Sequence, residues 1–127
     1  MIRDEPRVAD REEIRELLAG TGFFPAHEVD VAIELVDDRL AKGRSSDYEF
    51  LIAEERGRVV GFSCFGKITV TRSSFDLYWL GVRKELQGRG VGKRLLVESE
   101  ARMAASGAGR VYVETSTREL YEPTRRF

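Results

Sequence analysis

The sequence predicts an α+β fold with a mixed, mainly antiparallel sheet, and three features of the chain support this. Two amphipathic helical segments come first, and three strand-like segments joined by short connections follow them. A glycine-rich loop then leads into a further helix and a fourth strand. Short connections favour antiparallel neighbours, whereas a strand–helix–strand crossover makes its two strands parallel. The length of 127 residues predicts a single domain over residues 1–127.

The composition argues against several classes of function. Hydrophobic residues make up 42% of the chain, charged residues 34%, and the net charge is −1, as in soluble globular proteins. That charge does not favour nucleic acid, and no apolar run is long enough to span a membrane. Cys64 is the only cysteine and His27 the only histidine, which disfavours a zinc site. We therefore expect a cytoplasmic protein with no metal ion, nucleic acid or membrane as partner.

The first third of the chain predicts a pair of helices. Asp10 and Glu13 have the spacing of a capping box, and Gly20 is the expected end of the first helix. Pro25 suits the first turn of a second helix, which Gly43 would end. Apolar residues recur at helical spacing in both segments. They are Ile14, Leu17 and Leu18 in the first segment, and Val29, Ala32, Ile33, Val36 and Leu40 in the second.

The middle of the chain predicts three strands in an antiparallel meander. They are expected at Tyr48–Glu54, Val59–Thr71 and Phe75–Val82. Arg56-Gly57 is a turn signal between the first two, and residues 72–74 form the second turn.

A helix starting near Gly90 and ending at Gly107 would connect the third strand to a fourth at Arg110–Thr115. That crossover predicts that the third and fourth strands are parallel. The tail, Arg118–Phe127, begins like another helix.

The segment Gln87-Gly88-Arg89-Gly90-Val91-Gly92 carries the strongest functional signal. Three alternating glycines before a helix let amide groups converge on an anion at the positive end of the helix dipole. Residues 83–94 contain five basic residues and one acidic residue, in a chain of net charge −1. The loop departs at two positions from a Walker A motif and does not have the glycine spacing of a dinucleotide fingerprint.

This loop resembles the acetyl-CoA motif of the GNAT acetyltransferase superfamily, in which Gln or Arg precedes spaced glycines. Leu80-Gly81-Val82 is similar to the strand segment that leads into the motif, and the order of elements is similar too. The resemblance implies three αβα layers and a splayed parallel strand pair. Tyr121–Phe127 resembles the start of the next family helix, so the last family strands are expected to be absent.

The resemblance also implies a donor site for acetyl-CoA in the gap between the splayed strands. The pantetheine arm would bind the backbone at Leu80 and Val82, and the amide of Val82 would polarise the thioester. The pyrophosphate would lie on the loop and the start of its helix. The implied cofactor-binding residues are Leu80, Val82, Gln87, Gly88, Arg89, Gly90, Val91, Gly92 and Lys93. Transfer would be direct, without a metal, to a primary amine on a small molecule or peptide.

Asp76 is the first candidate for the general base, directly or through water, and its alternative interpretation is a solvated or hydrogen-bonded carboxylate at a strand end. Tyr78 shares its strand face and is the second catalytic candidate, although a core or substrate-pocket aromatic is favoured over an acid. Phe75, Leu77 and Trp79 would lie on the opposite face, in the core. Cys64 has two interpretations, as the nucleophile of a two-step mechanism or as a small buried hydrophobic residue.

Other polar residues are candidates for contact with the acceptor. His27 lies near the start of the second helix, where family members place a substrate wall. Tyr48 and Glu49 would reach the acceptor site from the neighbouring strand, although a structural role is favoured for both.

Two other functions remain open from the sequence. The chain would be an acyl-CoA-binding module without catalysis if it lacked the acid, because many family members place a tyrosine just after the position of Phe127. It would be an interaction protein if an uncovered sheet edge paired with another chain, for example in a homodimer.

Overall fold

The computed structural model describes residues 1–67, 74–105 and 110–113, and it shows an α+β fold around one sheet. The strands and helices of these residues are β1 (Ile2–Arg3), α1 (Asp10–Thr21), α2 (Ala26–Lys42), β2 (Glu49–Glu55), β3 (Arg58–Lys67), β4 (Ser74–Val82), α3 (Val91–Ala105) and β5 (Arg110–Val113). Short 3-10 helices occupy Gly43–Ser45 and Lys84–Leu86. The predicted helix end at Gly107 and the predicted tail helix lie outside the described residues.

The sheet has the order β1-β2-β3-β4-β5. The first three pairs are antiparallel, and β4 pairs with β5 in parallel through the crossover that contains α3. The predicted mixed sheet and the predicted parallel pair are therefore confirmed. The sequence pattern did not reveal β1, because two residues are too few to show alternation. Ile2 lies opposite Ala53 and Arg3 opposite Ile52, at the outer edge of β2.

Two apolar cores lie on opposite faces of the sheet and make three layers. The core under α1 and α2 includes Ile14, Leu18, Val29, Ile33, Phe50, Phe62, Cys64 and Trp79. The core under α3 includes Leu51, Val60, Phe65, Leu77, Leu80, Leu95 and Met103. Alternate residues of β2 enter opposite cores, as the pleat of a strand requires. The αβα layering implied by the family resemblance is thus present.

A buried pair of hydroxyl groups links α3 to the middle of the sheet. Ser99 Oγ donates a hydrogen bond to the carbonyl oxygen of Leu95 at 2.7 Å, and Ser63 Oγ lies 2.7 Å from Ser99 Oγ. Both serine side chains are fully buried, so each hydroxyl needs the other as a partner. The pair is a polar contact between α3 and β3 within an otherwise apolar interface.

The predicted capping box at the start of α1 is wrong. Asp10 is the first helical residue, and its carboxylate accepts hydrogen bonds from the amide of Arg7 at 2.6 Å and from two Arg3 nitrogens at 2.8 Å. Glu13 reaches away from the helix and accepts a hydrogen bond from the amide of Val59 at 2.9 Å. Partners from β1 and β3 therefore replace the local contacts that the spacing predicted.

The predicted end of α1 at Gly20 is also wrong. The helix continues to Thr21, and the following Gly22 adopts the left-handed backbone with φ of 74°. Its amide donates to the carbonyl oxygen of Ala19 at 3.3 Å, which closes the helix end. Pro25 and Gly43 flank α2 at its two ends, close to where the sequence predicted them.

Asp10 should give the protein a specific sensitivity to acid. Burial alone would raise the pKa of the carboxyl, but hydrogen bonds from Arg3 and from the amide of Arg7 hold that pKa below its ordinary value. A lowered pKa stabilises the fold above the unfolded value of about 3.9, and this contribution disappears as the pH falls through the folded value. We expect Asp10→Asn to lower the free energy of unfolding by about 1–3 kcal/mol at neutral pH.

Urea denaturation at pH 7 and at pH 3 measures this effect. The difference between wild type and Asp10→Asn should shrink at pH 3, because this pH is below the unfolded pKa of about 3.9 and the unfolded carboxyl takes up a proton there. Asp30→Asn is the matched control, because Asp30 pairs with Arg15 at an exposed site and should cost about 0.5 kcal/mol or less. A wild-type advantage of equal size at both pH values would contradict the role of the Asp10 charge.

Candidate active site

The loop Gln87–Gly92 has the backbone shape that its glycines predicted. Gly88 and Gly90 have φ values of 85° and 88°, a region that other residues rarely adopt, and α3 starts at the next residue, Val91. The side chain of Gln87 does not face a ligand, because its Nε2 donates to the carbonyl oxygen of Val82 at 3.3 Å. That bond ties the loop to the end of β4.

The loop presents amide groups without backbone partners. Within the described part of the chain, no carbonyl accepts from the backbone amides of Gly88, Gly90, Val91 or Gly92. The first helical bond is the one from the amide of Arg94 to the carbonyl oxygen of Gly90 at 3.0 Å. These amides stand at the N-terminus of a 15-residue helix, where its dipole favours negative charge. The loop can therefore bind an anionic group.

The backbone amides of Leu80 and Val82 in β4 point away from β3. The amide of Arg83 donates to Val60 of β3 at 2.9 Å, and successive residues of a strand direct their amides to opposite sides. The described pairing with β5 ends at Leu77 opposite Val113. The amides of Leu80 and Val82 thus point to the β5 side, past the last described pair. The predicted gap between the two strands would lie beside residues beyond Val113, outside the described range.

The basic residues of the segment 83–94 differ in burial and in their partners. Arg83 is buried, and its guanidinium donates to the carbonyl oxygen of Val59 at 2.6 Å and to Glu16 at 2.9 Å, with Glu13 at 3.5 Å. The hydrogen bond from Arg83 is also the main reason why the pKa of Glu16 is lowered. The charge count over residues 83–94 therefore overstates the positive charge at the loop. The exposed cations are Lys84, Arg89, Lys93 and Arg94.

A β-bulge in β4 changes which residues face the helix pair. Cys64 pairs with Trp79 and Phe65 pairs with Leu77, so Tyr78 is an extra residue without an opposite partner. Leu77 enters the core under α3, whereas Trp79 enters the core under α1 and α2. The prediction that Leu77 and Trp79 share one face is therefore wrong, because alternation shifts at the bulge. The side chain of Phe75, predicted on that face, is outside the described set.

Aromatic side chains surround the predicted acceptor face. The ring of Tyr78 meets that of Tyr48 edge-on at 5.5 Å, and Trp79 meets Phe24 edge-on at 5.1 Å. Asp76 is half-buried and pairs in register with Gly66 of β3, two residues before Tyr78. The structure therefore brings Tyr48 and Tyr78 together on the helix-pair side of the sheet, with Asp76 beside them in the strand. The sequence interpretation missed Phe24, although two adjacent phenylalanines before Pro25 were a visible signal.

The remaining candidates are Glu49, His27 and Cys64. Glu49 follows Tyr48 directly in the chain, so alternation places it on the opposite face of β2. His27 is exposed in the first turn of α2. Cys64 is fully buried, and burial raises the pKa of its thiol well above the ordinary value. A protonated thiol without access to solvent favours the interpretation of Cys64 as a core residue over that of a nucleophile.

Two further properties concern residues 1–67, 74–105 and 110–113. In those ranges no cluster of three or more His, Cys, Asp or Glu side chains could hold a metal ion. No helix in the same ranges is long and apolar enough to cross a membrane.

An α+β sheet with a parallel pair and a glycine-rich loop before its crossover helix fits an acyltransferase fold. The model of the Acetyltransferase (GNAT) family matches residues 11–125, and the chain belongs to that family. A GNAT-family protein from Desulfovibrio desulfuricans is 35% identical, with a TM-score of 0.87 over 100% of this chain and 80% of its own. No match was found among the curated proteins.

Two more distant structures share the fold. The PaiA N-acetyltransferase of Thermoplasma acidophilum, in complex with coenzyme A, is 18% identical with a TM-score of 0.75. The match covers 99% of this chain and 87% of that one. An aminoglycoside acetyltransferase from an uncultured soil sample, in complex with sisomicin, is 15% identical with a TM-score of 0.72. That match covers 99% of this chain and 85% of the other.

Gly66 should be intolerant of a side chain, because it lies between two groups of the acceptor face. A Cβ atom there would collide with the backbone oxygen of Asp47 and lie 3.1 Å from the ring of Tyr78. We expect Gly66→Ala to lower the free energy of unfolding by about 1–3 kcal/mol, since backbone must move.

Gly20→Ala is the matched control for this measurement. Gly20 lies within α1 with no atom near its Cβ position, so alanine should stabilise the protein by about 0.5–1 kcal/mol. Urea denaturation of the two variants should give shifts of opposite sign. A Gly66→Ala variant as stable as the wild type would show that Gly66 is not confined by Asp47 and Tyr78.

Proposed function

We propose that the protein transfers an acetyl group from acetyl-CoA to a primary amine by direct transfer. One observation carries this proposal: the outward amides of Leu80 and Val82 lead along β4 into a loop in which no described carbonyl accepts from the amides of Gly88, Gly90, Val91 and Gly92. An extended pantetheine arm would pair with the strand as an added strand does, and the pyrophosphate would then meet the loop.

The proposed donor site is made mainly of backbone. Val82 polarises the thioester carbonyl through its amide, and Leu80 binds the pantetheine arm. The amides of Gly88, Gly90, Val91 and Gly92 bind the pyrophosphate, whereas those of Gln87 and Arg89 donate to the carbonyl oxygens of Lys84 and Leu86. Gly88 and Gly90 give the loop the φ values that this shape requires. The exposed side chains of Arg89 and Lys93 add positive charge beside it. No step requires a metal ion.

The acceptor amine attacks the thioester carbonyl carbon from the helix-pair side of β4. A new C–N bond forms as the C–S bond breaks, and coenzyme A leaves as a thiolate that takes up a proton. Asp76 removes a proton from the ammonium group of the acceptor, directly or through one water molecule, and the resulting neutral amine is the nucleophile. Tyr78 lies beside it on the same face and orients the amine. Orientation of the two reactants is the main contribution of the protein.

The fold of the relatives supports this proposal. The PaiA structure contains coenzyme A, and the aminoglycoside enzyme binds an amine-bearing acceptor. We propose a small molecule or a peptide as the acceptor of this chain, with the aromatic side chains of Tyr48, Phe24 and Trp79 close to it.

Acetyl-CoA should stabilise the protein against heat, whereas ATP and NAD should not. A ligand at about a hundred times its dissociation constant adds roughly 2.7 kcal/mol. For a chain of this size that corresponds to a rise in Tm of roughly 10 °C. Differential scanning fluorimetry measures the shift in Tm with acetyl-CoA, and ATP and NAD at the same concentration are the controls. A cooperative transition that acetyl-CoA leaves unmoved would contradict donor binding and favour an interaction protein.

Asp76→Asn should lower kcat by about 10²–10⁴-fold while leaving coenzyme A binding unchanged, because the amide cannot accept the proton. Coenzyme A release, followed with a thiol reagent over a panel of primary amines, measures the rate. Glu49→Gln is the control on the opposite face of the sheet and should leave the rate unchanged. Wild-type binding without turnover of any amine would instead favour a non-catalytic acyl-CoA module, and an active Asp76→Asn would exclude Asp76 as the base.

A further inference from the structure

Arg83 stands at the junction between β4 and the proposed donor loop. Its side chain is 5% exposed, and its backbone amide donates to Val60 of β3 at 2.9 Å. Its carbonyl oxygen accepts from the amide of Leu86 at 2.9 Å, which starts the 3-10 turn before the loop. The amide of Arg83 thus makes a hydrogen bond to β3 at the end of β4, and its carbonyl oxygen accepts the hydrogen bond that starts the turn into the loop.

The guanidinium of Arg83 connects this junction to two other elements. Nε donates to the carbonyl oxygen of Val59 at 2.6 Å, and Nη1 donates to Glu16 of α1 at 2.9 Å. Nη2 lies 3.5 Å from Oε1 of Glu13, and the same oxygen accepts from the amide of Val59 at 2.9 Å. One arginine therefore joins β3, β4 and α1 with charge-assisted hydrogen bonds.

The residue on the other side of Val82 is fixed by packing. A Cβ atom on Gly81 would lie 3.1 Å from Leu17 and 3.2 Å from Leu18, so α1 lies directly on the strand there. Val82, whose amide is the proposed oxyanion donor, is held between these two contacts of α1. The ionic contact at Arg83 is the one nearer to the loop.

We infer that Arg83 is a positioning residue, which holds the donor loop and the Val82 amide against α1 through Glu13 and Glu16. This inference rests on the proposed function. The buried, internally paired guanidinium does not reach out to an anionic ligand. Its effect on acetyl-CoA passes through the backbone that it fixes.

Coenzyme A affinity by titration calorimetry and thermal stability test this role on the full chain. Arg83→Met should weaken coenzyme A binding by about tenfold, because the loop amides lose their alignment. Arg39→Met is the matched control, since Arg39 is also buried and binds Glu5 and the carbonyl oxygen of Tyr48 away from the loop. It should lower Tm while leaving coenzyme A affinity unchanged. Equal affinities in the two variants would reduce Arg83 to a structural residue and overturn the inference.

The variant Glu13→Gln/Glu16→Gln separates positioning from simple attraction, and it retains Arg83 if Arg83→Met does not fold. It makes the region more positive by two charges, so attraction alone predicts tighter binding of coenzyme A. Positioning predicts the opposite, a loss of about threefold, because neutral partners hold the guanidinium less firmly. Tighter or unchanged binding would overturn the inference. No binding by the wild type would overturn the proposed function itself.

Discussion

The amides of β4 impose the constraint on which the site depends. A buried strand must find partners for its backbone groups on both sides, and β3 supplies them along one side of β4. On the other side the described pairing with β5 ends at Leu77, and Tyr78 follows as the extra residue of a bulge. A bulge bends and twists its strand, and this one lies directly after the last described pair with β5. Beyond it, the amides of Leu80 and Val82 face the side on which the donor is proposed to bind.

The tertiary structure decides which basic side chains of the loop segment are exposed at the loop and which are buried. The sequence places Arg83 in the same basic segment as Arg89 and Lys93, but the fold directs it inward to Glu13 and Glu16. The remaining cations are exposed, and exposed charges contribute mainly at long range and low salt. Fixed amides at the start of α3 are the more specific feature for an anion, because their direction is set by Gly88 and Gly90.

Local signals predicted the fold and the loop, and long-range contacts account for what they missed. The crossover and the glycine loop were readable because their signals lie within a few adjacent residues. The capping box at Asp10 failed because Arg3 and Val59 compete for the same carboxylates from distant strands. The bulge at Tyr78 was not readable, since a shift of register is a property of two paired strands. Asp76 as the base and the donor-binding residues remain predictions.

The two halves of the proposed site differ in what makes them. The donor side uses backbone amides and the conformational freedom of glycine. A short glycine motif is therefore enough to predict it, because the site depends on few other side chains. The acceptor side uses side chains from three separate parts of the chain: Tyr48 just before β2, Tyr78 and Trp79 on β4, and Phe24 between α1 and α2. The bulge places the two β4 aromatics on one face, which regular alternation forbids. One fold can therefore keep its donor while its acceptor changes, because the contacts that select an acceptor lie in side chains that the donor does not require.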